Sequence, residues 1–101
     1  MRTFAERLVG KSIKSIESGD PGYCISIILS DGAGFAVNTE VIARLPEAHE
    51  KLIERVSITE REVTLHLRGD GFMGISIDRE RFPKVVEFFI YSDDEGMVVE
   101  N

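Results

Sequence analysis

Hydrophobic and polar positions alternate through two stretches of this chain that resemble each other. In the first, Tyr23, Ile25, Ile27 and Leu29 share one side against Cys24, Ser26 and Ile28, and Phe35 and Val37 continue the apolar side beyond Asp31-Gly32. In the second, Val63, Leu65 and Leu67 alternate with Thr64, His66 and Arg68, then Met73, Ile75 and Ile77 with Gly74, Ser76 and Asp78, around Asp70-Gly71. A period of two is the signature of a half-buried strand, and Asp-Gly between such runs marks a hairpin whose central turn residues take positive φ. The offset between the stretches drifts from 38 (Ile25 to Val63) through 39 (Asp31 to Asp70) to 40 (Val37 to Ile77). One-residue insertions near a turn account for that drift.

Other segments follow a helical period. Thr3 to Gly10 predicts a short helix with Thr3 and Glu6 as a capping box and Gly10 as its stop. Lys11 to Glu17 predicts a strand, with Ile13 and Ile16 too close for strict alternation, so a bulge or edge position is expected. Ser18-Gly19-Asp20-Pro21-Gly22 predicts a turn. Leu45, Ala48, Leu52, Ile53 and Val56 recur at helical spacing after a cap at Asn38 or Thr39, with Pro46 in the first turn of the main piece. Phe82, Val85, Val86, Phe89 and Ile90 form a second such stripe behind Pro83, and Met97-Val98-Val99 predicts a short final strand. The expected class is therefore α+β: an antiparallel sheet of four or five strands with helices on one face, built as two strand–turn–strand–helix halves. A single domain is expected over 1–101, with halves at 1–45 and 46–92 and an acidic tail at 93–101.

Composition narrows the function classes. With 43% hydrophobic and 30% charged residues the chain has the makeup of a globular domain. No apolar run approaches the roughly 18 residues of a membrane-spanning helix, and no secretory leader is visible. A lone cysteine, Cys24, suits a reducing, cytoplasmic setting. The net charge of −6 disfavours nucleic acid and anionic membranes and suits a basic protein partner. Residues 1–14 are locally basic, whereas the C-terminal segment gathers Asp93, Asp94, Glu95 and Glu100.

Candidate chemistry is sparse. The small, polar sheet face predicted from Ser26, Thr64, Ser76 and His66, flanked by Cys24, is the place for a ligand or a Cys–His pair; His66 then serves as base. A nucleophile and an orienting carboxylate would have to converge on it, and Asp70 and Asp78 fall at strand ends. His49 lies at the edge of the apolar stripe of the expected main helix. Two histidines and one cysteine specify no transition-metal site, and Asp93-Asp94-Glu95 lacks the spacing of a calcium loop. No cofactor is expected. The glycines of both turns precede strands, unlike those of a phosphate loop, and Arg68-Gly69-Asp70 is a chance tripeptide.

Surface aromatics are the stronger signal. Phe88 falls about 120° from Phe82 on a helical wheel, Tyr91 falls opposite it, and Phe72 and Met73 stand in a hairpin turn. Phe88, Tyr91, Phe72 and Met73 are thus expected as an interaction patch. The run Leu8-Val9-Gly10-Lys11-Ser12-Ile13, with the Ile-rich hairpin through Asp31-Gly32, resembles small bacterial domains, some of them toxin-immunity proteins. The expected function is a small acidic, non-enzymatic module that binds protein, of the inhibitor or immunity type. The alternatives are a homodimeric structural module and a small ligand-binding domain using the polar sheet face.

Overall fold

The computed structural model describes residues 2–18, 24–47 and 50–101. Residues 19–22 of the expected turn, Tyr23, Ala48 and His49 lie outside them. Among the described residues the chain forms one helix and nine strands: α1 (Phe4–Leu8), β1 (Ile13–Ser18), β2 (Ile25–Leu29), β3 (Gly34–Val37), β4 (Val41–Arg44), β5 (Ile53–Ile58), β6 (Glu62–Leu67), β7 (Gly71–Ser76), β8 (Phe89–Asp93) and β9 (Gly96–Glu100). The expected α+β class is overturned. Two antiparallel sheets, ordered β1-β2-β3-β8-β9 and β4-β7-β6-β5, take the place of one sheet covered by helices. Strand β4 takes the place of the short helical piece expected between the cap at Asn38 or Thr39 and Pro46, β5 takes the end of the expected main piece from Ile53, and turns followed by β8 replace the last helix.

Both hairpins form where alternation placed them, with different turns. In the first, Gly32 alone has positive φ; its N–H donates to Leu29 O, and Leu29 N–H donates to Ala33 O at 2.9 Å. That is a type I turn closed by a left-handed glycine. In the second, Gly69 (88°) and Asp70 (65°) are both positive, so the central pair sits one residue earlier than Asp70-Gly71. The capping box at Thr3 and Glu6 is present, and the register of β1 shifts between Ile13 and Ser15, where a bulge was expected.

The inner faces of the two sheets meet in one core. Ile27, Leu29, Phe35, Val37, Phe89 and Tyr91 come from the first sheet, and Ile53, Val63, Leu65, Leu67, Met73 and Ile75 from the second. Helix α1 closes one end: Leu8 is buried, and the Phe4 ring stacks on Phe89 with centroids 5.7 Å apart and meets Phe35 and Tyr91 edge-on.

The likeness between the two halves extends to their hydrogen bonds. Ile13 N–H donates to Lys51 O at 3.0 Å and Ile53 N–H to Lys11 O at 2.8 Å, two bonds related by an offset of 40 around the Ser12–Leu52 bridge. The register of β5 shifts between Ile53 and Arg55, matching the shift in β1. β1-β2-β3 thus corresponds to β5-β6-β7, and the fourth strands are exchanged: β4 pairs with β7 and β8 with β3. Asn38 N–H to Phe88 O (2.9 Å) and Ser76 N–H to Glu40 O (3.0 Å) mark the two equivalent exchange points. The repeat unit is four strands, not two strands and a helix.

Candidate functional site

The exchange leaves two outer sheet faces of different chemistry. Cross-strand neighbours in register share a face. On the second sheet they give one row of Arg55, His66, Phe72 and Arg44, and another of Ser57, Thr64, Gly74 and Ile42. On the first sheet they give Ser15, Ile28, Gly34, Ser92 and Met97, then Glu17, Ser26, Ala36, Ile90 and Val99.

The polar face expected as one surface is therefore divided. Ser26 lies on the first sheet, and Cys24, exposed, lies just before its strand β2. Thr64, His66 and Ser76 lie on the second sheet, across the core. No Cys24–His66 pair forms on opposite faces of two packed sheets. Ser76 is buried; its hydroxyl accepts from Asp78 N–H at 3.3 Å.

His66 does have a serine beside it. Ser57 Oγ lies 2.7 Å from His66 Nε2, and Arg55 lies 3.4 Å from Nδ1 and 3.2 Å from Ser57 Oγ. A guanidinium only donates, so Nδ1 accepts from Arg55 and Nε2 carries the proton it gives to Ser57. In that tautomer His66 cannot take the serine proton, and an arginine stands where a nucleophilic triad needs a carboxylate. The adjoining cavity, about 390 Å³, has Thr64, His66, Phe72, Glu54, Arg55 and Asp70 around it. The bulge in β5 brings Glu54 and Arg55 next to each other on this rim, where Glu54 pairs with Arg68 at 3.0 Å.

The acidic segment is ordered structure rather than a tail. Asp93 ends β8, and Asp94-Glu95 form the turn into β9. The Arg7 guanidinium pairs with both oxygens of Asp93, Tyr91 hydroxyl donates to it at 2.8 Å and Glu95 N–H at 2.7 Å. Arg7 also donates to Gly96 O at 2.9 Å, which pins α1 to this hairpin. The Arg7 bond holds the Asp93 carboxyl well below the usual carboxylate range, and burial, followed by the Asp93 bond, pushes the Tyr91 hydroxyl well above its ordinary value. Carboxyl oxygens of Asp93, Asp94 and Glu95 lie within 4.8 Å of one another. Arg7 and Arg2 already neutralise Asp93 and Glu95, so the cluster has little charge left for a cation.

The aromatic patch is corrected as well. Tyr91 and Met73 are fully buried in the core, Phe88 is 5% exposed, and Phe72 is half-buried on the outer face of the second sheet. Arg79 lies over the Phe88 ring at 4.3 Å and donates to Phe82 O and Val85 O, fastening the 78–88 loop above it.

What the sequence reading missed is the outer face of the first sheet. Ile28, Ala36 and Ile90 lie there outside the core, and Met97 (67% exposed) and Val99 (43%) extend it to the β9 edge. The signal was present: in Ile27-Ile28-Leu29 and Phe89-Ile90-Tyr91 the middle residue breaks alternation, as in strands apolar on both faces. On the second sheet, β4 forms an edge whose Ile42 is 51% exposed, with Ala43 and Arg44 exposed beside it.

Comparison of the chain with models of known protein families, with curated proteins and with solved structures finds no match. No helix among the described residues is long and apolar enough to cross a membrane.

Proposed function

We propose that this chain is a small acidic protein-binding module without catalytic activity, of the inhibitor or immunity type, that docks a basic partner on the outer face of its five-stranded sheet. The observation that carries this reading is the stripe of Ile28, Ala36, Ile90, Val99 and Met97, apolar side chains outside the core on strands that need no second apolar face to fold. Such a patch, interleaved with polar groups, is what interfaces bury. Charge sets the sign of the partner. Lys14 is the one base on these five strands; Glu17 on the outer face and the neighbouring Asp94 carry no ion pair among the described residues, whereas Asp93 is neutralised by Arg7 and Glu100 stands in register with buried Phe89. A partner with an apolar centre and Lys or Arg at its rim complements that surface.

The test uses the double variant Met97→Lys, Val99→Lys on the full chain, with retention of partners from a bacterial lysate measured at low and high salt. Both side chains are exposed, so the melting temperature should stay within a few degrees. The wild type should hold a basic protein that high salt sheds, and the variant should bind that protein at least about tenfold more weakly. Equal retention by the variant sinks this face as the docking site.

A further inference from the structure

From the open edge of β4 we infer a second interaction surface: the chain pairs with a second copy of itself, β4 against β4 in antiparallel fashion, forming a continuous eight-stranded sheet across a two-fold axis. Three observations converge on it. The repeat makes β4 the counterpart of β8, and the far side of β8 is covered by β9, whereas no described strand covers the far side of β4. The edge is also apolar at its centre: Val41-Ile42-Ala43 contains no charge or proline, and Ile42 is half exposed.

The third observation selects the partner. Ser76 N–H donates to Glu40 O, so in the alternating ladder Glu40, Ile42 and Arg44 turn their backbone groups toward β7, and Val41 and Ala43 turn theirs outward. Antiparallel pairing between copies must join outward residues to outward residues. With Ile42 on the two-fold axis, Val41 bonds to Ala43 of the second copy and Ala43 to Val41. The same register sets Glu40, whose Oε2 is paired with Arg81 of its own chain, directly opposite Arg44 twice, in the non-hydrogen-bonded positions where side chains stand closest, so that its carboxylate bridges the two arginines. Sliding it by two residues one way places Arg44 opposite Ile42, and by four places Arg44 opposite Arg44. Only the centred register is both hydrogen-bonded and charge-matched, and Glu40, Ile42 and Arg44 all lie on one face.

The experiment is sedimentation equilibrium of the full chain across a concentration series, with circular dichroism melts of every variant as a check on folding. The wild type should reach twice the monomer mass. Arg44→Glu sets like charges opposite each other and should raise the dimer dissociation constant by about tenfold or more. Ala43→Pro removes an outward N–H that β7 does not use and should abolish the dimer while the fold persists. The exchange Glu40→Arg with Arg44→Glu, made together with Arg81→Glu so that position 40 keeps an opposite charge within its own chain, should restore dimerisation, a rescue that a purely structural role for these residues would not produce. A wild type that stays monomeric throughout overturns the inference. So does a dimer indifferent to both Arg44→Glu and Ala43→Pro, which would place self-association on another surface, such as the apolar outer face of the first sheet.

Discussion

A single carboxylate ties three separate parts of this chain together. Asp93 is held by Arg7 from the helix, by Tyr91 from its own strand and by the Glu95 amide of the turn, with its side chain almost wholly inaccessible. Its depressed pKa fixes a sign. Below the value of about 3.9 for a free aspartate, the unfolded chain takes up a proton that folded Asp93 resists, so this stabilisation is present above that pH and is lost as pH falls toward the folded value. Tyr91 acts on the other side. Above about pH 10 the unfolded tyrosine ionises while the buried one stays protonated, so stability declines as pH rises. Melting temperature against pH should therefore show an acid limb that Asp93→Asn flattens, at the cost of lower stability near neutrality, and an alkaline limb that Tyr91→Phe reduces. An acid limb unchanged in Asp93→Asn would remove Asp93 from this role. Two glycines give a second contrast at this scale. A Cβ at Gly71 would stand 2.8 Å from Arg44 O and 2.5 Å from Pro46 Cδ, whereas at Gly74 it meets only the flexible Glu62 carboxylate. Gly71→Ala should cost about 1–3 kcal/mol and Gly74→Ala much less, as read by denaturant midpoints.

At the scale of elements, the same feature was read in two ways. Ile13 and Ile16 are three apart because β1 carries a bulge, and that spacing was recognised as one. Ile53 and Val56 are three apart for the same reason, since the register of β5 shifts between Ile53 and Arg55, yet beside Leu45 and Leu52 the spacing imitated a helical stripe. One inserted residue turns a period of two into an i, i+3 pair, and periodicity alone cannot separate the two cases. The composition held the correction: Val41-Ile42 and Phe88-Phe89-Ile90-Tyr91 are β-branched and aromatic, residues that favour a pleated surface. What was legible were the hairpins, the capped helix and the last strand, all set by local turn and cap chemistry. The exchange of β4 and β8 was not, because it depends on pairing between residues far apart in the chain (Val41 with Ile75, Val37 with Phe89) that no local pattern records. The candidate site suffered likewise: the polar face was assembled from residues that belong to two sheets. Phe88 shows the consequence. Read as a surface anchor, it would tolerate serine; buried beneath Arg79, it should not. Phe88→Ser should destabilise by about 3–5 kcal/mol, measured by urea unfolding, and a loss below 1 kcal/mol would show that the 78–88 loop packs elsewhere.

For the molecule as a whole, strand exchange decides how it comes apart. Each half contributes three strands to one sheet, but the fourth strand of that sheet comes from the other half. Neither half can close its own inner face: Phe89 and Tyr91, from the second half, complete the aromatic cluster of Phe4 and Phe35, from the first. The β1–β5 junction, with its paired bonds at residues 11–13 and 51–53, adds a second seam between the halves. A chain of two similar but independent units would unfold in two steps; interleaved units have no stable half to leave behind. Equilibrium unfolding should therefore be one transition, with far-ultraviolet dichroism and the near-ultraviolet signal of the tyrosines superimposing. The same interleaving makes most pairings non-local, so refolding should fall in the slow, millisecond-to-second range of β topologies rather than the microsecond range of helical ones. Amide exchange gives the sharper readout. The amides of β3 paired to β8 and those of β7 paired to β4 should open with the same free energy, close to the global value, because losing either exchange strand exposes the shared core. Separate opening energies for the two sheets would mean that the halves are stable apart and that the exchange joins them without making them interdependent.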